Sequence, residues 1–394
     1  MHRAAFYLAC ASAAVAPVSI AACQILLGAA LAAMLISRER FEFPRPIVIP
    51  LGIFVLLTLV SLVLSDNIRS GLPQLKKFYV YLMLPVVFTF VRRIDHIRNL
   101  IWCWAAAASA SGIWSFVQFW MKRQKALAQH ADFYLSYVGD RATGFVGHWM
   151  TFGAAQMSAL ILLFALLIFA PPRRHRWWGI AAVTVISASI TIGWTRSVWL
   201  AAAVGIAYLV AIWRPKYLAL APLLLIVGWF ISPRSVRERA ISIYQPHGQV
   251  DSNQHRYITS RTGIAMIKAH PWFGIGPDMP GKAFYEYLPG DIRRPLPEGF
   301  YGHLHNVYLQ FGAERGIPAL LAFLALVGIT LGEWWRSARA ALSPSTKAIL
   351  HGSIACLLAI LIGAFFEHNL GDSEILSMFW IVVAWGYRAR EAAA

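Results

Sequence analysis

The chain begins with a long uncharged segment, Ala4-Ala-Phe-Tyr-Leu-Ala-Cys-Ala-Ser-Ala-Ala-Val-Ala-Pro17-Val-Ser19-Ile-Ala-Ala-Cys-Gln-Ile-Leu-Leu-Gly-Ala-Ala-Leu-Ala-Ala-Met-Leu-Ile-Ser37. These 34 residues are too many for one membrane helix, since about 20 apolar residues cross the hydrocarbon core of a bilayer. Pro17–Ser19 offers a break. The segment therefore predicts two short membrane-spanning helices.

The composition of all 394 residues agrees with a membrane protein. Hydrophobic residues make up 58% of the chain and charged residues only 13%, yet the formal net charge is +17. So apolar a chain excludes intrinsic disorder and argues against a soluble enzyme. Nucleic acid is not an expected partner, because the basic residues lie between runs of Leu, Ala and Ile. The expected fold class is an all-α polytopic membrane protein.

Twelve segments of the chain are apolar enough to predict transmembrane helices. They are two short spans within 4–37, followed by 47–64, 72–91, 98–120, 149–170, 177–195, 197–213, 216–231, 304–331, 348–366 and 374–388. The predicted organisation is nine transmembrane helices in 1–231, one long loop at 232–303 and three transmembrane helices in 304–394.

Charge in the connecting segments predicts the orientation. With the N-terminus in the cytoplasm, the inner segments hold 17 of the 35 Lys and Arg residues and five of the 18 Asp and Glu residues. Cytoplasmic loops of membrane proteins carry such an excess of Lys and Arg. Both termini are therefore expected in the cytoplasm, and the long loop outside it.

The remaining 18 basic residues lie on the outer side or in the outer ends of helices, which the positive-inside rule does not explain. Lys77, Arg141 and Arg196 are close to apolar stretches. A cation inside a span costs about 2.5–3.5 kcal/mol on insertion scales and usually faces a cavity or a partner. Arg196 at a helix junction is suited to holding a phosphate, although snorkelling to lipid headgroups is the alternative.

The long outer loop contains two recognisable patterns. Residues 252–268 predict a surface helix with Ser252 as a possible N-cap, Arg261 on its polar side, and His270-Pro271 after it. The following segment to Asp278 has turn chemistry. Its Gly-x-Gly is a weak nucleotide signal, and a tight loop packed by Trp272 and Phe273 is the preferred interpretation.

The tenth predicted span begins with polar residues. Asn306, Gln310 and Glu314 have the i, i+4, i+8 spacing of one helix face, with His303 at its edge and His305 offset by about 100°. A polar stripe entering a membrane helix implies a wet or protein-lined cavity. His is the side chain best matched to proton transfer near neutral pH. His305 is accordingly a candidate base, and a structural histidine is the alternative.

The last outer turn, 366–374, is strongly polar for its length. Glu367 and Asp372 lie in it. They would supply an acid or bind an acceptor, or simply cap the two flanking helices, and the sequence favours neither interpretation.

Five patterns occur in an order that resembles the bacterial O-antigen ligase (WaaL) family and its O-antigen polymerase (Wzy) relatives. They are Arg141-Ala-Thr-Gly-Phe-Val-Gly-His148, Thr195-Arg196-Ser197, Arg261 followed by His270-Pro-Trp-Phe-Gly-Ile-Gly-Pro277, His305-Asn306-Val-Tyr-Leu with Glu314-Arg-Gly, and Glu367-His-Asn-Leu-Gly-Asp372. The resemblance covers about residues 140–385.

The resemblance implies a membrane glycosyltransferase of the C-type class, which needs no cofactor, metal or nucleotide sugar. Such a ligase transfers O-antigen from undecaprenyl pyrophosphate to lipid A–core at the periplasmic face of the inner membrane, with inversion. The family's essential His corresponds to His305, its essential arginines to Arg196 and Arg261, and its Arg-x-x-Gly motif to Arg141. His303 beside His305 leaves open which histidine is the base.

The expected chemistry divides the residues by role. Arg196 and Arg261, aided by Arg141 or Lys77, would balance the charge of the departing pyrophosphate. Asn306 and Gln310 would orient sugar hydroxyls. No Asp-x-Asp motif and no His/Cys cluster has metal-ligand spacing, so no metal is expected.

Three other functions remain open. An O-antigen polymerase and a ligase that glycosylates protein share the donor chemistry. A transporter or flippase for lipid-linked glycan belongs to another class, but the chain has no convincing internal repeat, and its polar groups gather at one face.

Overall fold

The computed structural model describes residues 2–172, 174–245 and 253–393, and within them the chain is helical. The α-helices in chain order are α1 (His2–Val15), α2 (Ile20–Ile36), α3 (Arg45–Val63), α4 (Ile68–Leu75), α5 (Lys77–Tyr81), α6 (Met83–Phe90), α7 (Ile94–Ala128), α8 (Phe133–Gly139), α9 (Trp149–Phe169), α10 (Arg176–Ile192), α11 (Arg196–Trp213), α12 (Ala221–Ile231), α13 (Arg234–Ile241), α14 (Asn253–Ala269), α15 (Val307–Ala340), α16 (Pro344–Gly363) and α17 (Ser373–Glu391).

Six described helices are long and apolar enough to cross a membrane, namely α3, α7, α9, α11, α15 and α16. Four shorter apolar helices are Arg3–Val15, Ile20–Ile36, Arg176–Ile192 and Pro215–Ile231. The predicted class of polytopic all-α membrane protein is confirmed. The break predicted at Pro17–Ser19 separates α1 from α2, where the Ser19 hydroxyl accepts a hydrogen bond from the Ala22 N–H.

The segment predicted as one span at 72–91 is broken into α4, α5 and α6. The breaks fall at Lys76 and Leu82, where the backbone makes i→i+3 hydrogen bonds. Pro85 explains the second break, because a proline ring clashes with the carbonyl four residues earlier and donates no hydrogen bond. Twelve membrane crossings therefore stay a prediction, while six long and four shorter apolar helices are observed.

The centre of the bundle is formed by α9, α16 and α17, whose side chains are buried on almost every face. A helix that is hydrophobic all round packs in this way. Trp104 of α7 contacts Trp385 of α17 with ring centroids 4.8 Å apart. At the end of the bundle where α17 finishes, Arg388 and Arg92 bind Glu42, and Arg390 binds Glu333.

We call the other end of the bundle the loop face. α9, α11 and α17 begin there, and residues of the long loop lie against them. The loop contains α13, α14 and a series of turns that pack a small core with Ile258, Met266, Phe284 and Leu304. The predicted surface helix is observed as α14 from Asn253 onward, whereas the proposed N-cap Ser252 lies outside the described residues.

α15 differs from the continuous helix predicted at 304–331. It begins at Val307, and Gly316 interrupts it with φ 82° and ψ 170°. This kink frees the carbonyls of Ala313 and Glu314, which accept hydrogen bonds from the N–H groups of Ile275 (2.8 Å) and Gly276 (3.0 Å). The long loop is thereby attached to the membrane helix through backbone hydrogen bonds.

The Gly-x-Gly of the loop has a structural role. Gly274 has φ 69°, and a Cβ atom there would lie 2.3 Å from the carbonyl carbon of Glu314. Only glycine permits this close approach of loop and helix. The expectation that Trp272 and Phe273 pack the turn is wrong, because their side chains are 69% and 41% exposed.

Candidate active site

A cavity of about 570 Å³ opens at the loop face, between the membrane helices and the long loop. Six residues predicted from the sequence line it: Arg141, Arg196, His303, His305, Glu367 and Asp372. Its walls also contain Arg239, His255, Arg256, Glu298 and Phe300 from the loop, and His148 at the start of α9. Residues separated by more than 200 positions thus meet in one cavity.

His305 lies immediately before α15 and has a left-handed backbone, with φ 49°. Its Nδ1 is 3.2 Å from Oε2 of Glu367, and its Nε2 is 2.9 Å from the backbone oxygen of Phe300. A carboxylate only accepts hydrogen bonds, so the Nδ1–H of His305 donates to Glu367. The contact with Glu367 orients the ring.

Both ring nitrogens of His303 contact neighbouring residues. Its Nδ1 accepts a hydrogen bond from the His305 N–H at 3.2 Å, and its Nε2 is 3.5 Å from Oε1 of Glu367. Burial, followed by the nearby His305, lowers the pKa of His303 to about 4. The neutral ring therefore has no free nitrogen for a further ligand in this arrangement.

Glu367 connects the two histidines. Its side chain is 13% exposed, and Oε1 also accepts a hydrogen bond from the His368 N–H at 3.0 Å. Burial by itself would raise the pKa of Glu367, but the hydrogen bond from His305 and the positive charge of the histidines bring it down to about 2. The carboxylate is therefore ionised at neutral pH.

Four guanidinium groups line the cavity, and three of them are held by contacts around the start of α11. Arg196 donates to Oγ of Ser242 (3.0 Å) and to Oδ1 of Asn253 (2.9 Å). The Trp194 carbonyl accepts from Nη1 of Arg141 at 3.4 Å and from Nε of Arg239 at 3.1 Å. The positive φ of Trp194 (48°) directs the chain into this junction.

The arginines give the cavity a positive potential. The fourth is Arg256 of α14, whose guanidinium lies 5.9 Å from the ring centre of Phe366. Burial, reinforced by Arg239, lowers the pKa of Arg141 to about 9, so Arg141 still carries its charge at neutral pH. Burial likewise lowers the pKa of Arg256. Three cations around the start of α11 and a fourth on α14 favour a multiply charged anion such as a pyrophosphate.

Arg261 does not line this cavity, contrary to the expectation that it would balance charge beside Arg196. It lies on the outer side of α14, where it forms an ion pair with Asp291 and a 3.4 Å hydrogen bond with Tyr257. Arg256, five residues earlier on the same helix, lies in the wall instead. Sequence periodicity placed Arg261 on the polar side of the helix but did not show which arginine of the helix faces the membrane domain.

The predicted polar stripe is also not part of the cavity. Asn306 is the N-cap of α15, with Oδ1 accepting from the Leu309 N–H at 3.0 Å. Gln310 donates to Oε1 of Glu314 at 2.9 Å, and Glu314 is buried 2.5 Å from Arg315. These polar groups stabilise one another and the adjoining loop rather than a wet cavity. Lys77, in the broken segment α4–α6, does not line the cavity either.

Asp372 and Thr151 form a polar contact at the membrane side of the cavity. Oγ1 of Thr151 donates to Oδ2 of Asp372 at 2.8 Å. Burial raises the pKa of Asp372 to about 6, despite that hydrogen bond. Asp372 therefore carries its charge at neutral pH and loses it as the pH falls through about 6.

His303, His305 and Glu367 also form a possible metal-ligand set. One ligand atom from each lies within 4.8 Å of the others. The sequence did not predict this set, because Glu367 is 62 positions from His305. Two imidazoles and a carboxylate suit a divalent transition metal.

The fold and the cavity together define a multi-pass membrane protein with a cationic, histidine-lined site at one face. Residues 192–324 match the Wzy_C family model, whose description is O-antigen ligase, and the resemblance predicted from the sequence is confirmed. No curated protein matches the chain. The matched segment contains Arg196, Arg261 and His305, and it indicates glycan transfer of the O-antigen ligase or polymerase type.

Proposed function

We propose that this protein is an O-antigen ligase, which transfers O-antigen polysaccharide from undecaprenyl pyrophosphate to the lipid A–core saccharide. The observation that carries the proposal is the position of the His305–Glu367 pair in the same cavity as four arginines. Displacement of a pyrophosphate by a sugar hydroxyl requires a base and a positively charged site that binds the departing anion.

In the proposed reaction, the acceptor hydroxyl oxygen attacks C1 of the donor sugar, and the bond from C1 to the pyrophosphate oxygen breaks. The electron pair leaves with the pyrophosphate, and the hydroxyl proton passes to Nε2 of His305. Attack from the side opposite the leaving group inverts C1. General base catalysis of this kind contributes about 10²–10⁴-fold.

His305 is the better candidate for the base. Glu367 fixes the proton on Nδ1, which leaves Nε2 to accept the proton from the acceptor. In this structure the Phe300 carbonyl occupies that direction, so the acceptor hydroxyl must replace it. Both ring nitrogens of His303 already have partners, which supports His303 as a positioning residue.

Arg141, Arg196, Arg239 and Arg256 would hold the pyrophosphate and neutralise the charge that grows on it. Guanidinium groups bind such oxygens in bidentate fashion, and each bond strengthens as the leaving group gains charge. We propose that these cations replace a metal ion in the reaction. Unchanged transfer in excess EDTA is expected, whereas loss that returns with a divalent cation would assign His303, His305 and Glu367 to a metal.

We propose that the loop face is periplasmic and that the protein lies in the bacterial inner membrane with both termini in the cytoplasm. The excess of Lys and Arg in the inner segments supports this orientation. Residues 1–231 and 304–394 would form the membrane domain, and 232–303 its periplasmic loop. Membrane lipids would surround the bundle and accommodate the tail of the donor.

The test is a transfer assay with purified protein in vesicles, using defined undecaprenyl-pyrophosphate glycan and lipid A–core. His305→Ala is expected to abolish transfer. His270→Ala is the matched control, because His270 contacts Tyr287 outside the cavity. Near-normal lipopolysaccharide from the His305 variant, with the control also active, would refute the proposed base.

The same assay separates the alternatives. Extension of a second undecaprenyl-pyrophosphate glycan, with no transfer to lipid A–core, would identify an O-antigen polymerase. Transfer to protein would identify a protein O-glycosylating ligase. Movement of the labelled carrier lipid across the vesicle without any transfer would favour a flippase.

A further inference from the structure

A second depression of about 530 Å³ lies on the long loop beside the cavity. We call it the tyrosine groove, and its walls include Tyr285, Arg294, Leu296, Pro297, Glu298 and Tyr301. Glu298 and Gly299 line both the groove and the cavity, so the two spaces are adjacent. A ligand that occupies the groove therefore lies beside the cavity that contains His305.

The groove combines flat apolar surfaces with charged groups. The Tyr285 side chain is 61% exposed, and the Tyr301 hydroxyl donates to the Pro297 carbonyl at 2.8 Å, which fixes its ring at the base of the groove. Arg294 and Glu298 are exposed at the rim. Aromatic rings bury the C–H faces of a sugar, while a guanidinium and a carboxylate bind its hydroxyls.

A row of rings joins the groove to the proposed base. Tyr301 packs against His255 with ring centroids 4.6 Å apart, and His255 packs against His305 at 4.9 Å. The Phe300 carbonyl, next to Tyr301 in the chain, faces Nε2 of both histidines at 3.0 and 2.9 Å. The groove thus lies next to the side of the cavity that the Nε2 of His305 faces.

The chain around Gly299 is shaped for this connection. A Cβ atom at Gly299 would lie 2.4 Å from Cδ2 of His255, so a larger residue would push the two apart. Pro295 and Pro297 restrict the backbone of the same wall. A rigid wall binds a ligand with less ordering cost than a flexible one.

We infer that the tyrosine groove binds the acceptor saccharide and directs its hydroxyl to His305. The arginine wall, formed by Arg141, Arg196 and Arg239 around the start of α11, is left for the donor pyrophosphate. A volume of about 530 Å³ lies within the size range of small-molecule sites. The assignment of the ligand as an acceptor rests on the proposed transferase function.

The first experiment measures transfer kinetics of Tyr285→Ala with each substrate varied in turn. Loss of one exposed stacking contact is expected to raise the KM for lipid A–core about 3–10-fold. The donor KM and kcat should stay unchanged. Tyr285→Phe keeps the ring and should restore the acceptor KM. Trp272→Ala is the matched control, since Trp272 is another exposed aromatic residue of the loop but lies outside the groove.

The second experiment measures binding of delipidated core oligosaccharide to the purified protein by calorimetry, with no donor present. Weaker binding by Tyr285→Ala than by Trp272→Ala supports the groove even if transfer to lipid A–core is never observed, in which case the proposed function alone fails. Equal binding by both variants overturns the proposal that the groove binds the saccharide. A raised donor KM in Tyr285→Ala, with an unchanged acceptor KM, overturns the assignment to the acceptor.

Discussion

Replacing Glu367 with glutamine removes the carboxylate that holds His305 while keeping the size of the side chain. In the proposed reaction His305 becomes an imidazolium, and the Glu367 carboxylate stabilises that charge at 3.2 Å. Glu367→Gln should therefore slow the chemical step and leave the binding of both substrates nearly unchanged. The amide oxygen still accepts a hydrogen bond, so the variant isolates the loss of charge.

The lowered pKa of Glu367 indicates how large the loss of activity in Glu367→Gln should be. A fall from an ordinary value near 4.5 to about 2 corresponds to about 3 kcal/mol in favour of the ionised form, since one pKa unit is about 1.4 kcal/mol. This is a net value, because burial opposes the fall while His305, His303 and the His368 N–H together produce it. The expected loss in kcat is about 10- to 100-fold.

The assay is single-turnover glycan transfer in vesicles, measured from pH 5 to 9. Loss of the carboxylate removes the charge that stabilises the imidazolium formed in the reaction, so the single-turnover rate should fall across this pH range. Glu374→Gln is the control, because Glu374 lies in the first turn of α17 and does not line the cavity. An unchanged single-turnover rate in Glu367→Gln, or an equally large loss in Glu374→Gln, would refute the role of Glu367.

Three further predictions follow from the same geometry. Arg256→Ala should raise the donor KM or lower kcat by at least about tenfold in the transfer assay, because Arg256 lines the cavity. Arg261→Ala should change either by less than about twofold, because its ion pair with Asp291 is exposed and lies outside the cavity. A larger effect from Arg261→Ala than from Arg256→Ala would place Arg261 at the site. Asp372→Asn should stabilise the protein by about 1–3 kcal/mol at pH 7.5, because burial raises the pKa of this carboxyl from 3.8 to about 6 and its charged form therefore destabilises the fold. In thermal unfolding this gain in stability should shrink as the pH falls from 6 to 4, and a gain that grows there would contradict the assignment. Gly316→Ala should lower the thermal midpoint in detergent by the equivalent of at least about 2 kcal/mol, because Gly316 has φ 82° and an added Cβ would lie 2.2 Å from the Trp272 oxygen. Gly328→Ala is the control, because an added Cβ there has open space.

The membrane class and most helix positions follow from the sequence because apolar runs of sufficient length have few other structures available. The span predicted at 149–170 is observed at Trp149–Phe169, and the spans predicted at 177–195 and 197–213 are observed as α10 and α11. Where backbone geometry interrupts an apolar run, the prediction was wrong. Pro85 and Gly316 are visible in the sequence, but whether such a residue bends or ends a helix depends on what packs against it.

The candidate site was predictable only in part, for a similar reason. Arg196 was selected because a cation beside an apolar run is costly, His305 because it lies near a polar stripe and suits proton transfer, and Glu367 because it lies in a strongly polar turn. The structure brings all three into one cavity. Gln310 and Glu314 are also polar residues in an otherwise apolar helix, but they bind each other and the loop rather than lining the cavity. A buried polar side chain must find a partner, and the sequence does not distinguish a partner in the protein from a ligand.

The sequence by itself determined that the chain is an all-α membrane protein, because the length and hydrophobicity of a segment depend only on local residues. It also carried an O-antigen ligase signature in residues 192–324. Only the tertiary structure decided which arginine of α14 faces the cavity and which carboxylate holds His305. Those contacts join residues such as His305 and Glu367, 62 positions apart, and depend on how whole helices and the loop pack together.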